Sequence, residues 1–311
     1  MSLESKFLRY SRVCSTVATF KLNVTVSGTD IQVPTIASTI ALNGRQSKMI
    51  VSNTRFGSSS RLFYSTASIF FSGVIDGRDV LFVFGDSDQE HEFAVALDSV
   101  GNAPSPTSSS IRFTTGHSPV DGTTVTICTG FTGLATVWDS PKQLILFSDT
   151  QTAATFWAPV IAGNSDDPFR QYWSIGSNTT ILVGGPYLVR NASISGSTLN
   201  LRGDLNTSSQ LTVVASAQIK SVTWNGRNVP QDPVSSKAVT SRGGFVGCLN
   251  LTTSSKVITP RLSWKFKDSL PEIQTGFDDS DWTTANHSTT NIPFKPFYGD
   301  GRILYGCDYG L

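Results

Sequence analysis

The sequence predicts an all-β fold: an antiparallel β-sandwich with one short helix, followed by an immunoglobulin-like sandwich and a truncated jelly roll. Two observations support this prediction. Short apolar runs rich in aromatic and β-branched residues recur about every 8–12 residues between turn-forming residues, as they do in all-β domains. Only one window has helical character, so the ring of outer helices that a (β/α)₈ barrel requires is not encoded.

The stretch Arg61–Leu97 contains the signal around which the first domain is organised. Two apolar runs, Leu62–Ile75 and Asp79–Phe84, flank Asp76-Gly77, a dipeptide favoured where both turn residues need φ > 0. We therefore expect a central β-hairpin. Val80–Phe84 has no polar alternate, so both faces of that strand are expected to be buried. No chemistry is expected of the hairpin itself.

Further strands are expected on both sides of this hairpin. Asn43-Gly44 predicts a second hairpin turn, and the polar run Gly57–Ser60 predicts a mobile loop. The one helix is expected over Thr150–Trp157, because Asp149 can cap it and Pro159 follows it. The other strands predicted here are Phe20–Val26, Ile31–Val33, Ile36–Leu42, Ser47–Ser52, Ile111–Thr115, Thr123–Cys128, Leu134–Trp138 and Gln143–Ser148.

A second group of short strands begins near Ile181, with a tight turn at Asn225-Gly226. Their number and spacing fit an immunoglobulin-like sandwich. The piece from Leu262 onward is too short for a complete β-domain. We therefore expect domains at 1–180, which lacks its N-terminal part, at 181–261, and at 262–311, which is incomplete. The strands predicted in the second domain are Val183–Arg190, Ser193–Ile194, Thr198–Arg202, Leu211–Val214, Ile219–Trp224, Lys237–Thr240 and Gly244–Leu249.

Composition and charge limit the function classes. The 311 residues carry a net charge of +1 without basic stripes, so neither nucleic acid nor a membrane is an expected partner. No apolar run approaches the ~20 residues that cross a bilayer, and the start lacks the apolar segment of a signal peptide. The cysteines form no CxxC pair, which disfavours zinc and leaves both disulfides and free thiols open. They are Cys14, Cys128, Cys248 and Cys307.

Asn-X-Ser/Thr sequons occur more often than expected by chance in a chain this rich in serine and threonine. Their excess favours a secreted glycoprotein, since the sequon is the acceptor of N-linked glycans in secreted proteins. The six predicted glycosylation sites are Asn23, Asn178, Asn191, Asn206, Asn250 and Asn286.

Acidic side chains cluster in turns. Retaining glycoside hydrolysis needs two carboxyl groups about 5–5.5 Å apart across one bond, whereas turn acids typically cap backbone amides. We therefore assign no catalytic residue and no cofactor. Oxygen ligands at 278–281 could suit calcium, but the full EF-hand loop is absent and capping explains the same residues, so no metal site is assigned. The acidic clusters are Asp86–Glu92, Asp166-Asp167 and Asp278–Asp281.

Histidines and tryptophans give no defined site. The histidines are scattered and no GxSxG turn is present, so a Ser–His–Asp triad is disfavoured. Tryptophans can stack on sugars but are also common core residues of sandwiches, and we expect the core role, with Trp173 the most exposed. Substrate-binding residues stay unassigned. The residues concerned are His91, His117, His287, Trp138, Trp157, Trp173, Trp224, Trp264 and Trp282.

A series of stretches, in order along the chain, carries a family resemblance. They are Ile31–Ile36, Leu42–Lys48, Leu62–Phe70, His91–Ala94, Leu146–Ala153, Phe156–Pro159, Gly185–Arg190, Gly203–Asn206, Val222–Gly226, Leu262–Lys265, Leu270–Ile273 and Phe277–Trp282. Together they resemble the second and third domains and the start of the fourth domain, a jelly roll, of fungal-type β-galactosidases of glycoside hydrolase family 35.

The resemblance implies an accessory role. The family places a catalytic barrel with two glutamates before this region; that barrel is missing here, so no catalytic residue is carried over. The intact parent would hydrolyse terminal β-D-galactosyl residues with retention, its barrel being the partner of this region and a galactoside its substrate. This chain alone is expected to be inactive. The alternative is a free-standing carbohydrate-binding or structural glycoprotein module.

Overall fold

A computed structural model describes residues 6–11, 16–44, 46–98, 110–115, 122–161, 180–251 and 275–281. The chain forms two compact units, residues 1–253 and 254–311. Strands of the first unit build two β-sandwiches, which confirms the predicted all-β class. Only residues 275–281 of the second unit are described, so the predicted jelly roll lies outside the described residues.

A six-stranded antiparallel sheet forms the outer layer of the first sandwich. Its strands are β1 (Lys6–Ser11), β6 (Ser47–Phe56), β7 (Ser60–Ser65), β10 (His91–Val95), β11 (Ile111–Thr115) and β12 (Thr123–Ile127). They lie side by side in the order β1-β6-β7-β10-β12-β11. Two further two-stranded antiparallel sheets contribute apolar residues to a core that they share with this six-stranded sheet. They are β2 (Ala18–Phe20) with β5 (Ile40–Leu42), and β3 (Leu22–Val26) with β4 (Thr29–Val33).

The inner layer, here called the central sheet, has four strands. They are β8 (Ser68–Ile75), β9 (Arg78–Gly85), β13 (Leu134–Asp139) and β14 (Gln143–Asp149), in the order β13-β14-β9-β8. β8 and β9 form the predicted hairpin, with φ of 54° at Asp76 and 74° at Gly77. β9 and β14 pair in parallel, so the sheet is mixed. The chain between them supplies the crossover that a parallel pair requires.

β9 is buried on both faces, as predicted. Leu81 and Val83 point into the core shared with the six-stranded sheet. Val80 and Phe82 point the other way, because side chains alternate along a strand, and all four are fully buried. This second face packs on apolar residues from both sandwiches: Phe71, Ile75, Leu144, Leu146, Phe156, Leu182 and Val214. The central sheet therefore contributes to two cores.

The second sandwich consists of two four-stranded sheets. The inner sheet is β15 (Phe156–Trp157), β16 (Leu182–Gly184), β19 (Ser209–Val214) and β22 (Gly244–Leu249), in the order β15-β16-β19-β22. The outer sheet is β17 (Leu188–Ser195), β18 (Thr198–Asp204), β20 (Ser221–Trp224) and β21 (Arg227–Val229), in chain order, with β18 and β20 parallel. Asn225-Gly226 closes β20–β21 with φ of 50° and 80°, as predicted.

The described residues form two short helices where one was predicted. α1 (Thr150–Ala153) begins at the Asp149 cap, but it ends early because Phe156 joins β15 and packs on Phe82 with ring centroids 5.0 Å apart. α2 (Pro233–Val239) replaces the predicted strand Lys237–Thr240. Asp232 caps it and proline occupies its first turn, which are both local helix-start signals. Seven residues are too few to show a helical period.

Several predicted strands and one predicted turn differ from the observed structure; Phe20–Val26, for example, is divided between β2 and β3. Leu62–Ile75 is two strands in different sheets, β7 and β8, and Val183–Arg190 breaks at Gly185 between β16 and β17. Ile36 lies in a loop before β5. Asn43-Gly44 does not close a hairpin, because β5 pairs with β2 while β6 pairs with β1 and β7. For the divided strands and the Asn43-Gly44 turn, pairing with other strands determines which sheet each segment joins.

Burial of β9 on both faces predicts a large loss of stability when Phe82 is truncated. Phe82→Ala should lower the free energy of unfolding by about 3–5 kcal/mol, because it opens a cavity where both sandwiches meet. Urea unfolding followed by tryptophan fluorescence measures this loss. Phe84→Ala, on the same strand but only partly buried, is the matched control and should cost clearly less. Equal losses would contradict the two-faced core.

Candidate functional site

The turn of the β8–β9 hairpin touches the second sandwich. The Asp76 carboxylate accepts hydrogen bonds from Ser216 Oγ at 2.7 Å and from the Ala217 backbone nitrogen at 3.1 Å. It also pairs with Arg242, with 3.0 Å between Nη2 and Oδ2. Burial alone would raise the pKa of Asp76, but the two hydrogen bonds and the Arg242 charge outweigh it and lower that pKa. This turn therefore links the two sandwiches.

Arg78, two residues along, is 1% exposed and joins the same link. Its Nη1 lies 2.8 Å from Asp139 Oδ1 and 3.2 Å from Thr240 Oγ1, and its Nη2 donates to the Arg242 carbonyl at 2.9 Å. We call Asp76, Arg78, Asp139, Thr240 and Arg242 the interdomain clamp. A buried ion pair keeps its stability only while each partner remains, so the clamp depends on all its members.

The acidic turn predicted at 86–92 anchors neighbouring loops. Glu92 is fully buried and accepts hydrogen bonds from the backbone nitrogens of Thr35, Ile36 and Ala37 at 2.5, 2.8 and 2.6 Å. Tyr64 donates its hydroxyl to the same carboxylate at 2.7 Å. Burial and the neighbouring Glu92 charge raise the pKa of Tyr64, so the phenol stays protonated. Glu92 acts as a capping carboxylate.

Asp86 and His91 hold the same end of the first sandwich. The Asp86 carboxylate accepts from Gln46 Nε2 at 2.5 Å and from Thr150 Oγ1 at 2.6 Å. His91 Nε2 lies 2.9 Å from the Asp86 carbonyl, and the ring packs directly on Gly85, where a Cβ would collide with it. Burial, helped by the Lys48 charge, lowers the pKa of His91 to about 4. His91 is therefore a neutral structural residue near pH 7.

Asp79 overturns the prediction of a mobile loop at Gly57–Ser60. Its two oxygens accept six hydrogen bonds, from the backbone nitrogens and hydroxyls of three consecutive serines, Ser58 to Ser60, at 2.7 to 3.0 Å. Every other buried or half-buried carboxylate in the described part of the chain also has a hydrogen-bond or ion-pair partner. These are Asp76, Asp86, Glu90, Glu92, Asp98, Asp139, Asp149 and Asp204.

Three clefts formed by described residues have no carboxylate in their walls. The first, about 380 Å³, is mainly apolar and lies between β6–β7 and β8–β9. The other two, about 450 and 310 Å³, lie on the second sandwich and contain Asn191 and Asn250, respectively. None of the three offers the acid and nucleophile pair that retaining glycoside hydrolysis requires.

The structure places the sequence-predicted residues as follows. Trp138 and Trp224 are buried, as expected of core residues, and Trp157 is half-buried with its Nε1 donating to the Pro186 carbonyl. Cys128 and Cys248 are free thiols. Asn23, Asn191, Asn206 and Asn250 are exposed. Outside the described residues lie Asn178, Asn286, Trp173, Trp264, Trp282, His117, His287, Asp166, Asp167, Cys14 and Cys307.

The acidic cluster at 278–281 is exposed, and Asp278 accepts a hydrogen bond from the Ser280 backbone nitrogen at 3.0 Å. Among the described residues, no group of three or more His, Cys, Asp and Glu side chains is arranged to hold a metal ion. In the same part of the chain, no helix has the length and apolarity needed to cross a membrane.

Two family models match consecutive parts of the chain. The model for β-galactosidase domain 2 matches residues 9–156, and the model for β-galactosidase domain 3 matches residues 157–238. The chain belongs to the β-galactosidase family. The contacts of the hairpin turn join the two matched domains. The domain 2 match contains Asp76, Arg78 and Asp139, and the domain 3 match contains Ser216 and Ala217.

Curated relatives match over nearly the whole chain. A protein of Aspergillus terreus named "Probable beta-galactosidase B" is 37% identical over 306 residues, which cover 96% of this chain and 28% of the relative. A namesake in Penicillium rubens is 37% identical and covers 96% and 27%. "Probable beta-galactosidase C" of Aspergillus niger is 35% identical and covers 94% and 27%. The chain thus spans less than a third of the length of these relatives.

The buried clamp predicts a strong effect of removing Arg78. Arg78→Ala should lower the free energy of unfolding by about 3–5 kcal/mol, because Asp139 is left without its ion-pair partner. Denaturant unfolding measures this loss. Arg190→Ala is the control: Arg190 pairs with Asp204 on the surface, at side-chain exposures of 63% and 45%, and its loss should change stability little. Equal unfolding free energies for the two variants would show that the clamp does not stabilise the fold.

Buried His91 predicts a pH dependence of stability. The unfolded chain binds a proton at this site near pH 6.5 and the folded chain only near pH 4, so acidification across this interval favours unfolding. The loss should reach about 3 kcal/mol at the acid end. Below pH 4, the folded protein loses further stability as carboxylates with lowered pKa are protonated, and this loss does not depend on His91.

The matched variant is His91→Gln, whose side-chain amide can still donate to the Asp86 carbonyl. Its unfolding free energy should fall less than that of the wild type between pH 6.5 and 4, since Gln does not titrate. Urea unfolding at a series of pH values gives the difference curve. Parallel curves for the two proteins would show that His91 does not carry the effect.

Proposed function

We propose that this chain is the accessory β-sandwich region of a β-galactosidase, an enzyme that hydrolyses terminal β-D-galactosyl residues with retention. One observation carries the proposal: consecutive matches to domains 2 and 3 of that family. The engaged carboxylates and acid-free clefts of the described residues support a role outside the chemistry. The reaction is therefore assigned to the catalytic domain of the parent enzyme, which is the proposed partner of this region.

The rigidity of the two sandwiches supports this role. A shared core and a buried clamp hold them as one body, and such a body can keep neighbouring loops in place beside an active site. Its part in the intact enzyme is to pack against the catalytic domain and shape the rim of the sugar pocket. We also propose the division at 1–180, 181–261 and 262–311, the last being the start of a jelly-roll domain.

We further propose that the parent protein is secreted and N-glycosylated. The relatives are fungal β-galactosidases, and the four sequon asparagines that the structure describes are exposed. Asn178 and Asn286 are proposed from their sequons alone. Exposure is what a branched, hydrophilic glycan requires of its attachment site.

The proposal predicts that the purified chain does not hydrolyse a chromogenic β-D-galactoside. No catalytic pair is assigned to it, so colour release should stay at the buffer rate. The Aspergillus terreus relative, assayed in parallel, is the positive control. Turnover that a single carboxylate-to-amide change abolishes would overturn the accessory role. Calorimetric titration with galactose and lactose should be flat; measurable affinity would instead favour a carbohydrate-binding module.

A chimaera tests the role directly. Replacing the matching segment of the Aspergillus terreus relative with this chain should give a folded enzyme that retains β-galactosidase activity, because the segment is a scaffold and brings no chemistry of its own. The same chimaera with Arg78→Ala should lose activity at a lower temperature. A folded chimaera without activity would contradict the proposal.

A further inference from the structure

The outward face of the outer sheet of the second sandwich carries the 450 Å³ cleft. Leu199 and Leu201 of β18 point into the core, and Asn200 and Arg202 between and after them point outward. The cleft has a size typical of ligand sites, about 300–1,000 Å³. Five of the seven residues that line it have polar side chains; the lining consists of Asn191, Ser193, Asn200, Leu201, Arg202, Thr223 and Gly226.

Strand register places the polar groups of this cleft side by side. Asn191 lies opposite Arg202, and Ser193 opposite Asn200. On the next strand Thr223 neighbours Asn200 and donates its hydroxyl to the amide oxygen at 2.9 Å. Amide, hydroxyl and guanidinium groups therefore form one continuous hydrogen-bonding surface.

Arg202 has spare donors. Among the described residues, none forms an ion pair or a hydrogen bond with its guanidinium group. By contrast, the neighbouring Arg190 is engaged twice by Asp204, at 2.9 Å from Nε and 2.5 Å from Nη2. A planar group with five donors and no carboxylate paired with it suits a neutral, oxygen-rich ligand.

Asn191 and Ser193 are also the first and last residues of a sequon. Both point outward into the cleft, because Ala192 between them is buried at 3% exposure. A glycan on Asn191 would therefore begin inside a surface lined by groups that bind sugar hydroxyls and N-acetyl oxygens. Asn23, exposed on β3, lines none of the three clefts.

We propose that Asn191 carries an N-linked glycan whose first sugars lie in this cleft and bind Asn200, Arg202 and Thr223. The proposal rests on the secretion proposed above. The donor is a lipid-pyrophosphate-linked oligosaccharide: a bond forms between Asn191 Nδ2 and sugar C1 as the bond from C1 to the pyrophosphate oxygen breaks. The lipid pyrophosphate leaves, and Nδ2 loses one proton. The attached glycan then folds onto the strand face.

The test compares Asn191 with Asn23 in the chain secreted from an N-glycosylating fungal host. Peptide mass spectrometry gives the occupancy of each site. Peptide-N-glycosidase is then applied to the folded protein, and release is followed at each site. Release at Asn191 should be slower by about fivefold for each net hydrogen bond of ~1 kcal/mol that holds the glycan. After denaturation, both sites should be released at the same rate.

Arg202→Ala identifies the cleft as the cause. It should speed release at Asn191 and leave Asn23 unchanged. Arg112→Ala, at an exposed arginine of the first sandwich, is the matched control and should change neither site. Equal rates in the folded wild type, or an Asn191 rate indifferent to Arg202→Ala, would overturn the proposal.

Occupancy separates this proposal from secretion. A glycan at Asn23 with none at Asn191 would refute the proposal that a glycan lies in the cleft. It would not contradict the proposal that the parent protein is secreted and N-glycosylated. The absence of glycan from Asn23, Asn191, Asn206 and Asn250 together would refute both proposals.

Discussion

Burial of β9 on both faces is the constraint on which the rest of the structure depends. Leu81 and Val83 close the core of the first sandwich, and Val80 and Phe82 close the contact with the second. A strand with no polar alternate can be stable only between two apolar layers. The parallel partner β14 extends the same surface, so both sandwiches are built against a single sheet.

The hairpin turn combines a backbone and a side-chain role. The turn needs residues that tolerate positive φ, and Asp76 and Gly77 supply them. The Asp76 carboxylate then reaches Ser216 and Arg242, and Arg78 reaches Asp139 and Thr240. The sequence predicted this turn as part of a central hairpin from which no chemistry was expected. Its contacts are with residues more than 60 positions away, so only the folded structure reveals them.

The difference between local signals and contacts with distant residues explains which sequence predictions were confirmed. Local signals were sufficient for the Asp76-Gly77 turn, the Asp149 cap and the two-sided burial of Val80–Phe84. They were insufficient where a distant group decides the outcome: the parallel pairing of β9 with β14, and the serine loop held by Asp79. α2 was missed although its Asp232 and Pro233 signals are local, because so short a helix shows no period. Turn carboxylates were expected to cap backbone amides; Glu92 and Asp278 do so, whereas Asp86 accepts hydrogen bonds from side chains.

The shared sheet also affects how the polypeptide can be divided. The two family matches meet between residues 156 and 157, inside β15. A protein cut there would part Phe156 from its strand neighbour and expose the side of the central sheet that Leu182 and Val214 cover. Either fragment would expose an apolar surface and an unpaired strand edge, and such surfaces tend to self-associate. The boundary by homology is therefore a poor place to cleave this molecule.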